Sequence, residues 1–133
     1  MKVNENYVQT LPEVKNKYGV ELLEGEKVLF TAKLSIWGDD KDQPLGGRSV
    51  FTLTNQRIVV DNGAGIWTIA LKEEISAIAK ITKGRWILKT THFNVDLYEP
   101  MTYNYGKNQL KGFHFYFTKS DEAKFEKIIE NLV

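Results

Sequence analysis

Residues that could carry acid, base or metal chemistry are few and scattered in this chain of 133 residues. It has two histidines, His92 and His114, neither with a metal-type partner at close spacing, and no cysteine. The adjacent carboxylates at 39–40 and 73–74 fall in predicted strands or loops, where neighbouring side chains point apart and seldom share a proton. Glycine-rich phosphate loops, nucleophile elbows and zinc-helix motifs are absent as well. We therefore expect no enzymatic activity, metal or cofactor, and surface or hydrogen-bonding roles for both histidines.

Capture of anionic groups is a second kind of chemistry that the residue types allow. Lys80, Lys83, Arg85 and Lys89 surround Trp86 in a predicted hairpin connection. Cations neutralise phosphate while an aromatic ring stacks or inserts, as in the binding of lipid headgroups and single-stranded nucleic acid. Exposed strand residues also produce scattered charges of this kind. The four basic residues are therefore a candidate anion site, with an ordinary solvated surface as the alternative.

A third candidate region, EPMTYNYGKNQLKG at 99–112, has the composition of a contact surface for a protein partner. It is long for a connection between strands, and it contains Met101, Tyr103 and Tyr105. Long loops in compact domains are often functional, and tyrosine and methionine are enriched at recognition surfaces. The alternative is that these side chains fold back onto the body of the protein. Both interpretations stay open at this point.

Charge and composition limit the class of partner. The 18 basic and 17 acidic residues leave a formal net charge of +1, which supplies no global field for nucleic acid, so we expect no nucleic-acid partner. No apolar run approaches the roughly 18 residues of a membrane span, and the first residues lack the apolar segment of a secretory signal. We expect a single cytoplasmic domain, because a chain of this length normally closes around one core.

The elements that must position these residues begin with an N-terminal arm, residues 1–26, followed by the main domain, residues 27–133. Thr10 and Glu13 have the spacing of a capping box, and Pro12 is tolerated in a first helical turn. Gly19 offers a left-handed C-terminal stop. These signals predict a short helix over about 11–18.

Apolar residues with a period of two predict seven strands after the arm. The predicted strands are 27–36, 49–54, 57–61, 66–71, 75–83, one around 93–97 and one around 113–117. The period then returns to that of a helix, which Ser120 is expected to cap, with apolar residues from Phe125 to Leu132 on one face. The predicted fold class is mainly β: a strongly bent antiparallel barrel that the C-terminal helix plugs at one end.

The polar quartet TNQR at 54–57 interrupts two apolar segments and could be a binding site or a corner. Asparagine readily adopts the positive φ of a tight hairpin, and Thr54 can bind local backbone. The stem of Arg57 can lie on apolar neighbours while its guanidinium satisfies nearby carbonyls. We interpret the quartet as a structural corner.

Four stretches, in this order of elements, resemble the pleckstrin-homology type of domain, and in particular its bacterial GRAM-like branch. They are LLEGEKVLF at 22–30, LTNQRIVV at 53–60, IWTIALKEEISAI at 66–78 and GFHFYFTKSDEAKFEKIIENL at 112–132. The resemblance implies two nearly orthogonal sheets of seven strands in all, capped by a C-terminal helix. It also implies a binding module, with phosphoinositides as the best-known ligands. In that mode Lys33 and Arg48 stand roughly where the family grips phosphate.

The phosphate-binding pattern is incomplete in this chain. Gly46 and Val50 stand two positions to either side of Arg48, where the family pattern has a further basic residue. The loop between the first two strands holds three aspartates within 39–42, which repel an anionic headgroup. We therefore predict a non-enzymatic adaptor or scaffold that binds protein partners and, as is plausible for bacterial relatives of this fold, its own copies.

Two alternatives to the adaptor stay open. A peripheral membrane-lipid binder would need Lys33, Arg48 and the basic group at 80–89 to converge on one surface. A small-ligand barrel would need an internal cavity. The bulky inward residues, which include Phe51 and Phe115, argue against such a cavity.

Overall fold

The computed structural model describes all residues from Met1 to Val133 and is mainly β. Its elements are α1 (Glu5–Thr10), β1 (Val28–Asp39), β2 (Ser49–Thr54), β3 (Arg57–Asp61), β4 (Ile66–Ala70), β5 (Ile75–Lys83), a 3-10 turn (Trp86–Leu88), β6 (Thr90–Tyr103), β7 (Asn108–Phe117) and α2 (Lys119–Ile129). The seven antiparallel strands and the C-terminal helix confirm the predicted fold class. No helix has both the length and the apolar character needed to cross a membrane.

The strands form one curled sheet in the order β4-β3-β2-β1-β7-β6-β5, rather than two separate sheets. The 12-residue β1 lies at the centre and pairs with β2 along its first half and with β7 along its second half. Its register shifts between Leu34 and Ile36, and such an irregularity bends a strand and increases its twist. The shift also moves Ile36, expected inside, to 53% exposure, while Trp37 is buried in its place.

Aromatic side chains fill the concave side of the sheet, and α2 closes one end of it. Phe125 of α2 is fully buried, and its ring centroid lies 4.8 Å from that of Phe93 and 5.5 Å from that of Phe51. Phe113 and Phe115 extend the same cluster along β7. This packing confirms the predicted plug. It leaves the interior occupied by rings, which argues against the small-ligand barrel.

The N-terminal helix lies before the predicted position at 11–18. Asn4 caps α1 by accepting a hydrogen bond from the Tyr7 amide, and the helix ends at Thr10. Leu11 is extended because a residue that precedes proline is disfavoured in the helical region, and Pro12 follows it. Thr10 is therefore the last helical residue rather than a cap, and its hydroxyl donates to the carbonyl of Tyr7.

The quartet at 54–57 is the corner between β2 and β3, and it also holds the end of the N-terminal arm. The amide nitrogen of the Asn55 side chain donates to the Gly25 carbonyl at 3.0 Å. The Gln56 side chain donates to the Glu24 carbonyl at 2.9 Å. The polar side chains that suggested a site are therefore used to bind the chain's own backbone.

Arg57 also binds the end of the N-terminal arm, through the buried carboxylate of Glu26. Its Nε donates to Glu26 Oε2 at 2.8 Å, and its Nη2 donates to the Glu21 carbonyl at 2.8 Å. Burial raises the pKa of Glu26, but hydrogen bonds from Arg57, Thr54 and the Leu23 amide outweigh burial and lower the pKa overall. The carboxylate stays charged, as a structural ion pair requires.

Candidate functional site

Three consecutive large apolar side chains are almost fully exposed between β5 and β6. Trp86 is 88% exposed, Ile87 97% and Leu88 78%. Single exposed apolar residues are normal on protein surfaces, but a contiguous apolar patch usually marks an interaction site. We call residues 83–89, which contain this patch, the β5–β6 tip.

The backbone of the β5–β6 tip is built to hold the apolar side chains away from the body. Gly84 has a φ of 97°, and a Cβ at that position would collide with the carbonyl oxygen of Leu88. Trp86 has a φ of 60°, a region that bulky residues rarely adopt and that costs on the order of 1–3 kcal/mol. Strain of this kind persists only where the surrounding structure enforces it, and it concentrates at functional sites.

Basic residues flank the apolar patch without acidic neighbours in the same segment. Lys83, Arg85 and Lys89 are exposed, and none of them forms an ion pair. Lys80, the fourth residue of the predicted anion site, instead binds Glu126 of α2 at 2.6 Å. The structure therefore keeps three of the four cations at the tip and neutralises the other.

The structure places Lys33 and Arg48 outside the β5–β6 tip. Lys33 lies in β1 opposite Val50, and Arg48 immediately precedes β2. Both side chains are exposed and without an ion pair. β7 lies between β1 and β6 in the sheet, so Lys33 and the tip belong to strands that do not pair with each other. A phosphate site of the family type would need Lys33 and Arg48 beside the cations of the tip, and no strand pairing brings them together.

The segment at 99–112 is not a long loop, contrary to the prediction. β6 and β7 continue to pair after an irregularity between Asp96 and Met101, with Met101 opposite Leu110, and only residues 104–107 form a turn. Pro100 lies within that irregularity, where a missing amide does not break the ladder.

Met101, Tyr103 and Tyr105 therefore have different surroundings. Met101 and Tyr103 are half-buried against the core, and the Tyr103 hydroxyl donates to Asp39 Oδ2 at 3.3 Å. Tyr105 is fully exposed in the turn, with a φ of 56°. Two of the three residues thus fold back onto the body, and Tyr105 alone is fully exposed.

The two histidines lie together on the outer face of the sheet. His114 binds Asp42 Oδ1 through its Nδ1 at 2.8 Å, and this hydrogen bond lowers the pKa of Asp42. His92 is only 1% exposed, and neither of its ring nitrogens has a hydrogen-bond partner. Burial lowers the pKa of His92, which favours the neutral ring. The expectation of a hydrogen-bonding or surface role holds for His114 and is wrong for His92.

Metal-binding geometry does not occur among these residues. No group of three or more histidine, aspartate or glutamate side chains lies close enough to hold a metal ion. The β5–β6 tip is thus the surface whose residue types and exposure most need an explanation.

Comparison with known proteins adds no further indication of the role of this tip. No family model, no curated protein and no solved structure matches the chain.

Proposed function

We propose that the protein is a non-enzymatic binding module of the pleckstrin-homology type that attaches reversibly to anionic membranes through the β5–β6 tip. The observation that carries this proposal is the combination of three exposed apolar side chains with three cations and no acidic residue in residues 83–89. It places membrane binding ahead of the protein adaptor that the sequence alone favoured.

The apolar residues suit the interfacial region of a bilayer. Tryptophan prefers this region because its ring is largely apolar while its N–H stays near polar groups. Ile87 and Leu88 extend the apolar surface beside it. Burial of such side chains contributes to interfacial binding in proportion to the apolar area removed from water.

The flanking cations favour anionic over neutral lipid. A basic residue near an anionic membrane surface contributes about 1 kcal/mol, and the attraction falls off within a Debye length. With Lys33 and Arg48 outside the tip, we expect dependence on total membrane charge without selectivity for phosphoinositides. A cytoplasmic protein would meet this charge on the inner leaflet, which carries anionic lipids.

The adaptor is the second candidate, and the exposure of Tyr105 favours it. A fully exposed tyrosine at a turn is available to a protein partner or to a second copy of the chain. It stands alone among polar neighbours, whereas hot spots of protein interfaces are usually surrounded by further contacts. The tip therefore offers the stronger site.

Vesicle flotation tests the proposal. We expect the protein to float with phosphatidylcholine vesicles that contain phosphatidylserine and not with phosphatidylcholine alone. The variant Trp86→Ser, Ile87→Ser, Leu88→Ser should remain folded and lose flotation, since its changes lie on side chains that are largely exposed. Tyr105→Ser is the matched control, because it removes an exposed apolar side chain from the other turn of β6. Equal flotation of the triple variant and the wild type would refute the proposed function.

A further inference from the structure

A buried histidine lies at the base of the β5–β6 tip. His92 is in β6 opposite Ile81 of β5, three residues after Lys89. Its ring centroid lies 4.8 Å from that of His114 and 4.9 Å from that of Tyr116. Buried polar groups are nearly always hydrogen-bonded, and an exception needs an explanation. Both ring nitrogens of His92 are such exceptions.

The charged and polar groups that face His92 come from four parts of the chain. They are Lys83 of β5, Asn94 of β6, His114 and Tyr116 of β7, and Asp42 of the loop between β1 and β2. Asp42 is the single acidic group among them, and it is already engaged by His114 at 2.8 Å and by the Tyr116 hydroxyl at 3.4 Å. Asp42 also holds a φ of 59°, so the loop is strained where it meets the histidines.

We propose that His92 is a proton-operated release: the neutral ring stacks on His114 and Tyr116, which hold Asp42 of the β1–β2 loop, and protonation of His92 opens this contact. A protonated ring carries two N–H donors and a positive charge. Asn94 on the same strand offers the ring one hydrogen bond at most, which leaves the other donor without a partner in the closed site. Lys83 and His114 lie near enough to disfavour a positive charge on His92. The charged ring is therefore accommodated only when it reaches water.

The direction of the pH effect follows from the state of the ring. Burial is the largest cause of the lowered pKa of His92, and the neighbouring His114 adds to it, whereas Asn94 and Asp42 oppose it. The unfolded or opened chain thus binds a proton at a higher pH than the closed form does. The neutral ring therefore makes its full contribution to the stability of the closed form at pH values above the ordinary histidine pKa of about 6.5. This contribution decreases as the pH drops below that value.

This release deepens the proposed function, and its consequence at the membrane rests on that function. An exposed imidazolium beside Lys83 and close to Lys89 adds a cation to the tip. Acid should therefore strengthen attachment to anionic vesicles. The opening itself occurs in solution and can be measured without vesicles.

The test compares the wild type with His92→Phe, which keeps a flat ring in the stack and removes the titrating nitrogens. Thermal melts at about pH 7.5 and about pH 5 bracket the ordinary histidine pKa. We expect the wild type to lose melting temperature on acidification and His92→Phe to lose clearly less. Equal losses in the two proteins would overturn the proposal.

Ring and amide NMR of the wild type provides a second measurement that needs no variant. We expect the His92 ring to titrate below the ordinary histidine range, and the amides of Lys41 and Asp42 to change with the same midpoint. A His92 midpoint at or above the ordinary value, or loop amides that do not follow it, would overturn the release.

Vesicle flotation at the same two pH values then tests the consequence at the membrane. We expect acid to increase flotation of the wild type more than that of His92→Phe, and an equal increase would refute the link to the membrane. If the wild type shows no flotation at either pH, the proposed function fails, while the melts and the NMR titration still decide the release.

Discussion

The two turns at the ends of β6 use similar backbone geometry for different purposes. The β5–β6 tip contains Gly84 and Trp86 at positive φ, and the turn at 104–107 contains three residues at positive φ, Asn104 to Gly106. The second turn is closed by its own polar groups, because Asn104 Nδ2 donates to Asn108 Oδ1 at 3.0 Å. No side-chain hydrogen bond forms within the tip itself, although the Thr82 and Thr91 hydroxyls meet at 3.4 Å just outside it, and the tip presents an apolar patch. Backbone strain alone therefore does not mark a site, whereas strain together with an exposed apolar and basic surface does.

Charge reversal at the two turns should have the largest effect. Lys83→Glu, Arg85→Glu, Lys89→Glu removes three cations, each contributing about 1 kcal/mol near an anionic surface, so we expect at least about a 100-fold loss of affinity for phosphatidylserine vesicles. Lys107→Glu, Lys111→Glu at the other end of β6 should leave the affinity within a few-fold. Vesicle co-sedimentation at low and physiological salt measures both. Similar losses for the two variants would show that net charge, and not the tip, drives binding.

Gly84 and Gly106, one in each turn, allow a matched comparison of the free energy of unfolding. Gly84→Ala must place a Cβ against the Leu88 carbonyl at positive φ, so we expect a loss of about 2–3 kcal/mol and weaker vesicle binding, because the tip must rearrange. Gly106→Ala meets no atom within 4 Å and has only the positive φ to accommodate, so about 1 kcal/mol is expected. Urea denaturation measures both values. If Gly106→Ala proves the more costly substitution, the tip is less constrained than its geometry indicates.

Local sequence patterns predict some of the strands correctly and miss irregularities in others. β2, β3 and β5 have their predicted bounds because their segments carry sustained apolar patterns. The bulge in β1 has no comparable local signal, so the exchange of Ile36 for Trp37 at the buried face could not be anticipated. The continuation of β6 past Pro100 depends on pairing with β7, a contact with residues distant in the chain. In the second case, long-range pairing overrides a local turn signal.

The candidate site was predictable only in part. Residue types alone predict a site at Lys83, Arg85 and Trp86. They do not predict Ile87 and Leu88 as part of it, because apolar residues are expected inside by default. Ile87 and Leu88 follow Trp86, whose φ of 60° is not predicted by any local sequence pattern. The burial of His92 likewise depends on packing between β7 and the β1–β2 loop.

Substitution of Tyr103 should have a smaller effect on stability. It distinguishes the paired strands of the β6–β7 hairpin from the turn at 104–107. Tyr103→Phe removes the hydroxyl that donates to Asp39 and keeps the ring, which packs on Trp67 with a centroid distance of 5.7 Å. A single hydrogen bond of this kind contributes about 0.5–1.5 kcal/mol, so we expect a loss in that range. Vesicle binding should not change. Denaturation and flotation of the same preparation check both expectations, and a loss of flotation would connect Tyr103 to the binding surface.

Tyr105→Ala should have the smallest effect on stability and decides between the adaptor and the membrane module. The side chain is fully exposed, and substitutions at such positions usually change the free energy of unfolding by no more than about 0.5 kcal/mol. If the protein works through its tip alone, this variant should keep wild-type flotation and the same mass in analytical ultracentrifugation. A wild type that self-associates, and a variant that does not, would assign the second turn to contacts between copies. That result, with unchanged flotation, would give the two ends of β6 separate binding roles, because a residue without internal contacts can alter assembly only through a partner.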